Sequence, residues 1–176
     1  MSDSVAILFD EAEVQKRFPV DAKEAAFLSQ AAKLLKANFP DHALIDIWNA
    51  SIHNLRRRVE QYSHELLFTS IKDEPGRKRY IADADTIIGR WENVDDALVV
   101  LGCERIGILN PKAQKALEMI NWMRNHASAS HESEELVTAP DVYAIALMLQ
   151  GNLFELALPD PGSSPAGFFL QSRVPH

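Results

Sequence analysis

Apolar positions along this chain recur mostly at steps of three and four, the spacing that lines up one face of an α-helix. Ala25, Leu28, Ala32 and Leu35 form the first such run. Asp21 stands ahead of it with Glu24 three residues later, a capping-box pattern, and Asn38-Phe39-Pro40 ends it. Asp41 is a second cap, and behind it Ile45, Trp48, Ile52, Leu55, Val59, Tyr62 and Leu66 make the longest stripe of the chain. Asp73-Glu74-Pro75-Gly76 is a strong breaker. Asn110-Pro111 reads as an N-cap with proline at the first helical position, and Ala113, Ala116, Leu117, Ile120, Met123 and Ala127 follow it as an amphipathic helix. Thr138 and Pro140 introduce a last helix through Val142, Ile145, Leu149 and Leu153.

The remaining segments are less periodic. A short mixed stretch around Phe9 to Phe18 is closed by Pro19, and Ile81, Ile87, Ile88 and Trp91 predict one short helix. Leu98-Val99-Val100-Leu101 fits either a helix or a short buried strand, with Gly102 and Gly107 as breaks. The expected fold class is therefore all-α: a compact antiparallel helical bundle formed by residues 1–158 as one domain. Residues 159–176 turn to Pro, Gly and Ser and read as a tail, with Phe168, Phe169 and Leu170 available to dock it back.

Composition narrows the function classes. With 176 residues and 47% hydrophobic content the chain can bury one sizeable core. A formal charge of −7 keeps such a domain soluble and argues against a broad nucleic-acid surface, while a small local RNA site stays compatible with it. Cys103 is the only cysteine, which rules out an intramolecular disulfide and leaves no cysteine-rich zinc site. There is no His-Glu-x-x-His spacing, no calcium loop and no Gly-rich phosphate loop, so no metal and no cofactor is expected. No apolar run approaches the roughly 20 residues of a membrane span. The opening Met-Ser-Asp-Ser-Val-Ala lacks the basic start and apolar run of a secretory signal. The expectation is a cytoplasmic protein without a membrane partner.

The helix from Pro111 carries the chain's one anomaly. Its apolar face, followed residue by residue, runs Leu117, Ile120, Arg124, Ala127 and His131. Seven residues turn a helix through nearly two revolutions, so Arg124 and His131 share a face roughly 10 Å apart along the axis if the helix persists. One reading is structural: Arg124 snorkels at the core edge or pairs with a carboxylate such as Asp46, and His131 lies in the turn before the last helix. The other is chemical. A guanidinium fork suits phosphate oxygens, and an imidazole exchanges a proton near neutral pH.

Other polar groups are weaker candidates. His126 should face about 200° away from Arg124. His53, with Asn49 one turn earlier, reads as a structural or interface pair, and Glu132, Glu134 and Glu135 as a solvated acidic loop. Arg56-Arg57-Arg58 and Arg77-Lys78-Arg79 fit ordinary surface or a phosphate track, with ordinary surface favoured for the first. Cys103 reads as buried rather than reactive.

Arg124-Asn125-His126-Ala127-Ser128-Ala129-Ser130-His131 resembles the signature of the HEPN superfamily of all-helical nucleotide-associated domains. Arg124 matches the arginine of that signature, Asn125 its polar neighbour and His131 its histidine, with six residues between the outer pair. The resemblance implies a metal-independent ribonuclease of a toxin–antitoxin or abortive-infection system, acting as a homodimer and held in check by an antitoxin or another defence protein. It implies that Arg124 holds the scissile phosphate of RNA and that Asn125 orients the phosphate or His131. His131 would serve as base for the 2′-hydroxyl or as acid for the leaving 5′-oxygen. Two alternatives stand beside it. One is a non-catalytic helical module binding a protein or a nucleotide. The other is a nucleotide or small-molecule sensor whose pocket is lined by Arg124 and Trp122 or Trp48.

Overall fold

A computed structural model of the chain describes residues 8–126 and 137–158, the side chain of residue 11 excepted. The chain is all-α, as its periodicity predicts, with eight helices among the described residues. In order they are α1 (Glu11–Arg17), α2 (Ala22–Lys36), α3 (Pro40–Tyr62), α4 (His64–Ser70), α5 (Ile87–Trp91), α6 (Asp96–Arg105), α7 (Pro111–His126) and α8 (Ala139–Leu149). A π-helical turn, Gln150–Phe154, continues α8. The only strand pairing among the described residues joins β1 (Lys78–Arg79) to β2 (Asn93–Val94), antiparallel, with Lys78 opposite Val94.

Local chemistry accounts for most helix boundaries. The Asp21 carboxylate accepts from the Glu24 amide at 2.8 Å and the Glu24 carboxylate reaches back to the Asp21 amide at 3.4 Å, so the predicted capping box opens α2. Thr138 and Asp141 build the same reciprocal cap at the start of α8. Past α2, Asn38 takes a left-handed φ of 65°, a conformation asparagine tolerates better than most residues. Helix α3 then begins at Pro40, one residue ahead of the cap expected at Asp41, because proline presets φ and has no amide to leave unpaired.

Two predicted features change. The long stripe does not run to Leu66: Ser63 leaves the helical path and its hydroxyl accepts from the Leu66 amide, ending α3 at Tyr62 and capping α4. Trp48, Ile52, Leu55 and Val59 are buried as expected, but Ile45 and Leu66, at the two ends of the stripe, are 41% and 43% exposed. Gly102, expected to interrupt its segment, lies inside α6. A Cβ there would come within 2.7 Å of Leu67 Cγ, so the missing side chain is what lets α6 lie against α4. Gly107, with φ of 78°, is where the segment does turn away. Residues 98–101 are therefore helix, and both short strands precede them in sequence.

The described chain falls into two compact units. The first holds α1, α2, α3 up to Asn54, α7 and α8. Its interior takes Leu28, Ala31 and Leu35 from α2, Ala43, Leu44 and Ile47 from α3, Leu117 and Ile120 from α7, and Ile145 and Leu149 from α8. Helices α1 and α2 pack on each other, as do α7 and α8. The second unit runs from Leu55 to Asn110. Leu55, Val59, Leu67, Ile71, Trp91, Val99 and Cys103 are its fully buried apolar groups, and Arg58 is buried with them.

The Glu60 carboxylate organises the second unit. Its Oε1 accepts from Arg90 Nε at 2.6 Å, from the Trp91 indole at 3.0 Å and from the Tyr80 hydroxyl at 3.0 Å, and Oε2 accepts from Arg90 Nη2 at 2.9 Å. The Tyr80 ring stacks on His64 at 4.5 Å and meets the Trp91 ring edge-on at 5.1 Å. One carboxylate thus ties α3 to α5 and to the residue that follows β1. Burial alone would raise the Glu60 pKa, but the bonds from Arg90, Trp91 and Tyr80 outweigh it and hold it below the usual value of 4.5. Burial and the bond to Glu60 push Tyr80 the other way, up to about 12.

A lowered folded-state pKa stabilises the fold above the unfolded value and loses that stabilisation as pH falls through the folded one. Glu60→Ala should destabilise the chain by about 2–3 kcal/mol in urea unfolding at pH 7, since it strands three donors. The difference between wild type and mutant should shrink as pH is lowered from about 5. A difference that does not change with pH would show that the charge of Glu60 is not what matters.

Candidate functional site

The site is built on the last turns of α7. Ala113, Ala116, Leu117, Ile120 and Met123 form the buried face of that helix. The inward position after Ile120 is Met123 rather than Arg124, so the expectation that Arg124 occupies the core stripe is corrected. Arg124 is exposed, on the flank of the stripe. Its guanidinium carbon lies 5.1 Å from the centre of the Trp48 ring on α3, and Trp48 itself is buried. The planar cation therefore covers the aromatic face while its edge meets water, an arrangement worth about 0.5–1 kcal/mol at an exposed site. This corresponds to the snorkelling arm of the structural reading, with an aromatic partner in place of a carboxylate.

Asp46, the acid considered as a partner, does not serve as one. Burial raises its pKa, and His42 is the only charge that pulls it back. Among the described residues no carboxylate pairs with Arg124. An arginine held by a ring is oriented without being neutralised, so its donors stay available to an anion. The site also sits in the last turn of a helix, where the backbone dipole favours a cation.

Asn125 and His126 are exposed beside it. His126 turns away from Arg124 as its position two residues on requires. Its Nδ1 bonds the Trp122 carbonyl at 2.7 Å, and its ring stacks on the Trp122 indole at 4.7 Å with 23° between the planes. A carbonyl can only accept, so Nδ1 carries the proton of that bond. Of the two tryptophans weighed as neighbours of Arg124, Trp48 is the one it touches. His131, with Glu132, Glu134 and Glu135, lies outside the described residues. The structure thus positions two of the three predicted site residues, Arg124 and Asn125.

The other candidates are engaged structurally. Arg56 bonds Asp96 at 2.7 Å, and Arg58 is buried, so the first basic run is not the ordinary surface expected of it. Arg77 bonds the Asp95 carboxylate at 2.7 Å, and Lys78 Nζ donates to the carbonyls of Lys72 and Glu74. That run closes a loop instead of forming a phosphate track. Cys103 is fully buried, and burial raises its thiol pKa despite the nearby Arg58, which leaves it unreactive as expected.

One cluster was not visible in the sequence. His53 Nε2 bonds Asp21 Oδ2 at 2.7 Å and Asn54 donates to Glu24 Oε2 at 2.9 Å, so the capping box of α2 is locked onto α3. One ligand atom from each of Asp21, Glu24 and His53 falls within 4.8 Å of the others, which makes this the one group among the described residues with metal-ligating types drawn together. The Asp21 oxygens already accept from the Glu24 amide and His53, and one Glu24 oxygen accepts from the Asp21 amide and Asn54. The cluster is accounted for as a buried hydrogen-bond network. Only the capping box had a sequence signal, since His53 lies 32 residues from Asp21.

Replacing Arg124 by Ala should uncover the Trp48 ring, lowering stability by about 0.5–1 kcal/mol and shifting tryptophan emission to longer wavelength. Unchanged emission and an unchanged urea midpoint would show that the cation does not lie on the ring in solution.

No protein-family model, no curated protein and no solved structure matches this chain.

Proposed function

We propose that this chain is a metal-independent endoribonuclease-like protein of a toxin or antiphage-defence system. The observation that carries the reading is Arg124: an exposed guanidinium, oriented by Trp48 and paired with no carboxylate among the described residues. It opens an Arg-Asn…His octapeptide that resembles the HEPN signature.

The reaction follows from what those groups can do. The 2′-oxygen of a ribose attacks the adjacent phosphorus as its proton passes to a base, the bond from phosphorus to the 5′-oxygen breaks, and that oxygen takes a proton from an acid. His131 is the proton carrier for one of these transfers. Arg124 grips the non-bridging oxygens and stabilises the charge that builds on them, with Asn125 as an orienting amide. The products are a 2′,3′-cyclic phosphate and a 5′-hydroxyl. One His131 per chain suits a homodimer in which two copies meet over one strand, and a toxin of this type calls for an antitoxin partner.

The formal charge of −7 favours a second reading, a non-catalytic protein- or nucleotide-binding module of the same kind of system. One assay separates the two. The full chain is incubated with mixed RNAs in excess chelator and also expressed in a bacterial host, beside the Arg124→Ala, His131→Ala double variant. Wild type should leave cyclic-phosphate ends, detected by mass spectrometry, and Arg124→Ala alone should slow cleavage by about 10²–10³-fold. If wild type leaves every RNA intact in both settings, as the double variant does, the nuclease reading is lost and the binding module replaces it.

A further inference from the structure

Trp122 is the one tryptophan of three that is exposed, at 48%, while Trp48 and Trp91 are buried. It does not lie loose on the surface. His126, one turn on, covers part of it at 4.7 Å, and the hydrogen bond from His126 Nδ1 to the Trp122 carbonyl fixes the angle of the covering ring. Two aromatic planes are thus held nearly parallel on the outer flank of α7, two residues either side of Arg124. Successive residues advance by about 100°, so the stacked pair and the guanidinium occupy opposite flanks of the same helix end, about one helix diameter or ~10–12 Å apart.

From this geometry we infer that the Trp122–His126 pair is a stacking platform for a nucleobase of single-stranded RNA, one or a few nucleotides along from the phosphate held by Arg124. The inference rests on the nuclease reading of Arg124 and adds to it a substrate class: unpaired RNA, bound without base preference. A π-face accepts any base, and an aromatic surface already ordered loses little rotamer freedom when a base joins the stack. The charge inventory points the same way. A chain of net charge −7 sets up an overall field that disfavours a phosphate backbone, and Arg56, Arg77, Lys78, Arg90 and Arg105 are engaged by carboxylates or carbonyls. Affinity for RNA then draws on contacts beside ion pairing, and stacking is the contact that an exposed tryptophan supplies.

The test uses the full chain and a short 2′-O-methyl oligoribonucleotide that cannot be cleaved. Binding should quench tryptophan emission. Trp122→Ala should weaken binding roughly 5- to 150-fold and remove the quenching, and Trp122→Phe should restore most of the affinity. The slope of log K against log salt should lie near −0.7 to −1.4, the value for one or two neutralised phosphates on a single strand. Circular dichroism confirms that each variant is folded. If Trp122→Ala binds like wild type while Arg124→Ala does not, the platform is wrong and the phosphate site stands. A slope steeper than about −3 also overturns it, since the strand would then follow a basic track. If wild type fails to bind the probe yet cleaves RNA, the platform falls and the nuclease reading stands; if it neither binds nor cleaves, both fall. A defined protein captured through Trp122 in that case would make this face a protein-docking surface.

Discussion

A polar group carried inside this protein costs free energy unless it finds a partner, and α3 carries most of the buried polar groups among the described residues. Leaving such a group unpaired costs several kcal/mol, which no single apolar contact recovers. Helix α3 nevertheless places Ser51, His53, Asn54 and Arg58 in the interior. Several of its pairings join two elements: His53 and Asn54 clasp the start of α2, and Glu60 gathers Arg90, Trp91 and Tyr80. Such bonds are directional, so they select one packing of the helices where an apolar interface would accept several.

The same constraint shapes the chemistry left at the surface. Several basic residues, Arg56, Arg77, Lys78, Arg90 and Arg105 among them, are occupied in holding loops and helices. Arg124 differs in the kind of partner it has. A carboxylate would both orient and neutralise it, whereas the Trp48 ring orients it and leaves the charge in place. An ordered but uncompensated guanidinium is what a phosphate site requires, and a site of one such group suits a protein whose overall field repels RNA.

Much of the fold was legible in the sequence because the signals that set helix boundaries are local. The Asp21–Glu24 and Thr138–Asp141 boxes and the proline at position 111 act within a few residues of the helix they start, and the three-and-four spacing exposes the buried faces directly. Where reading failed, the deciding partner lay elsewhere in the chain. Gly102 reads as a breaker until Leu67 is seen against it, and a two-residue ladder such as Lys78–Arg79 with Asn93–Val94 is too short to show a period. The split between α3 and α4 at Ser63 was hidden because the apolar spacing continues across it. The candidate site was legible as residue types and spacing, with Arg124 assigned to the stripe where Met123 belongs.

By itself, then, the sequence determined the helical class and most of the caps, because propensity, capping and periodicity depend only on neighbours along the chain; the grouping of Arg124, Asn125 and His131 is a proposal that it raised. Tertiary structure alone decided which polar groups were taken up and which were left. Arg58 went to the interior, Lys78 to the carbonyls of a loop, His53 to Asp21, and Arg124 to the face of Trp48. The physical reason is that a charge is silenced or kept by what stands a few ångströms away in space, and no periodicity records that distance.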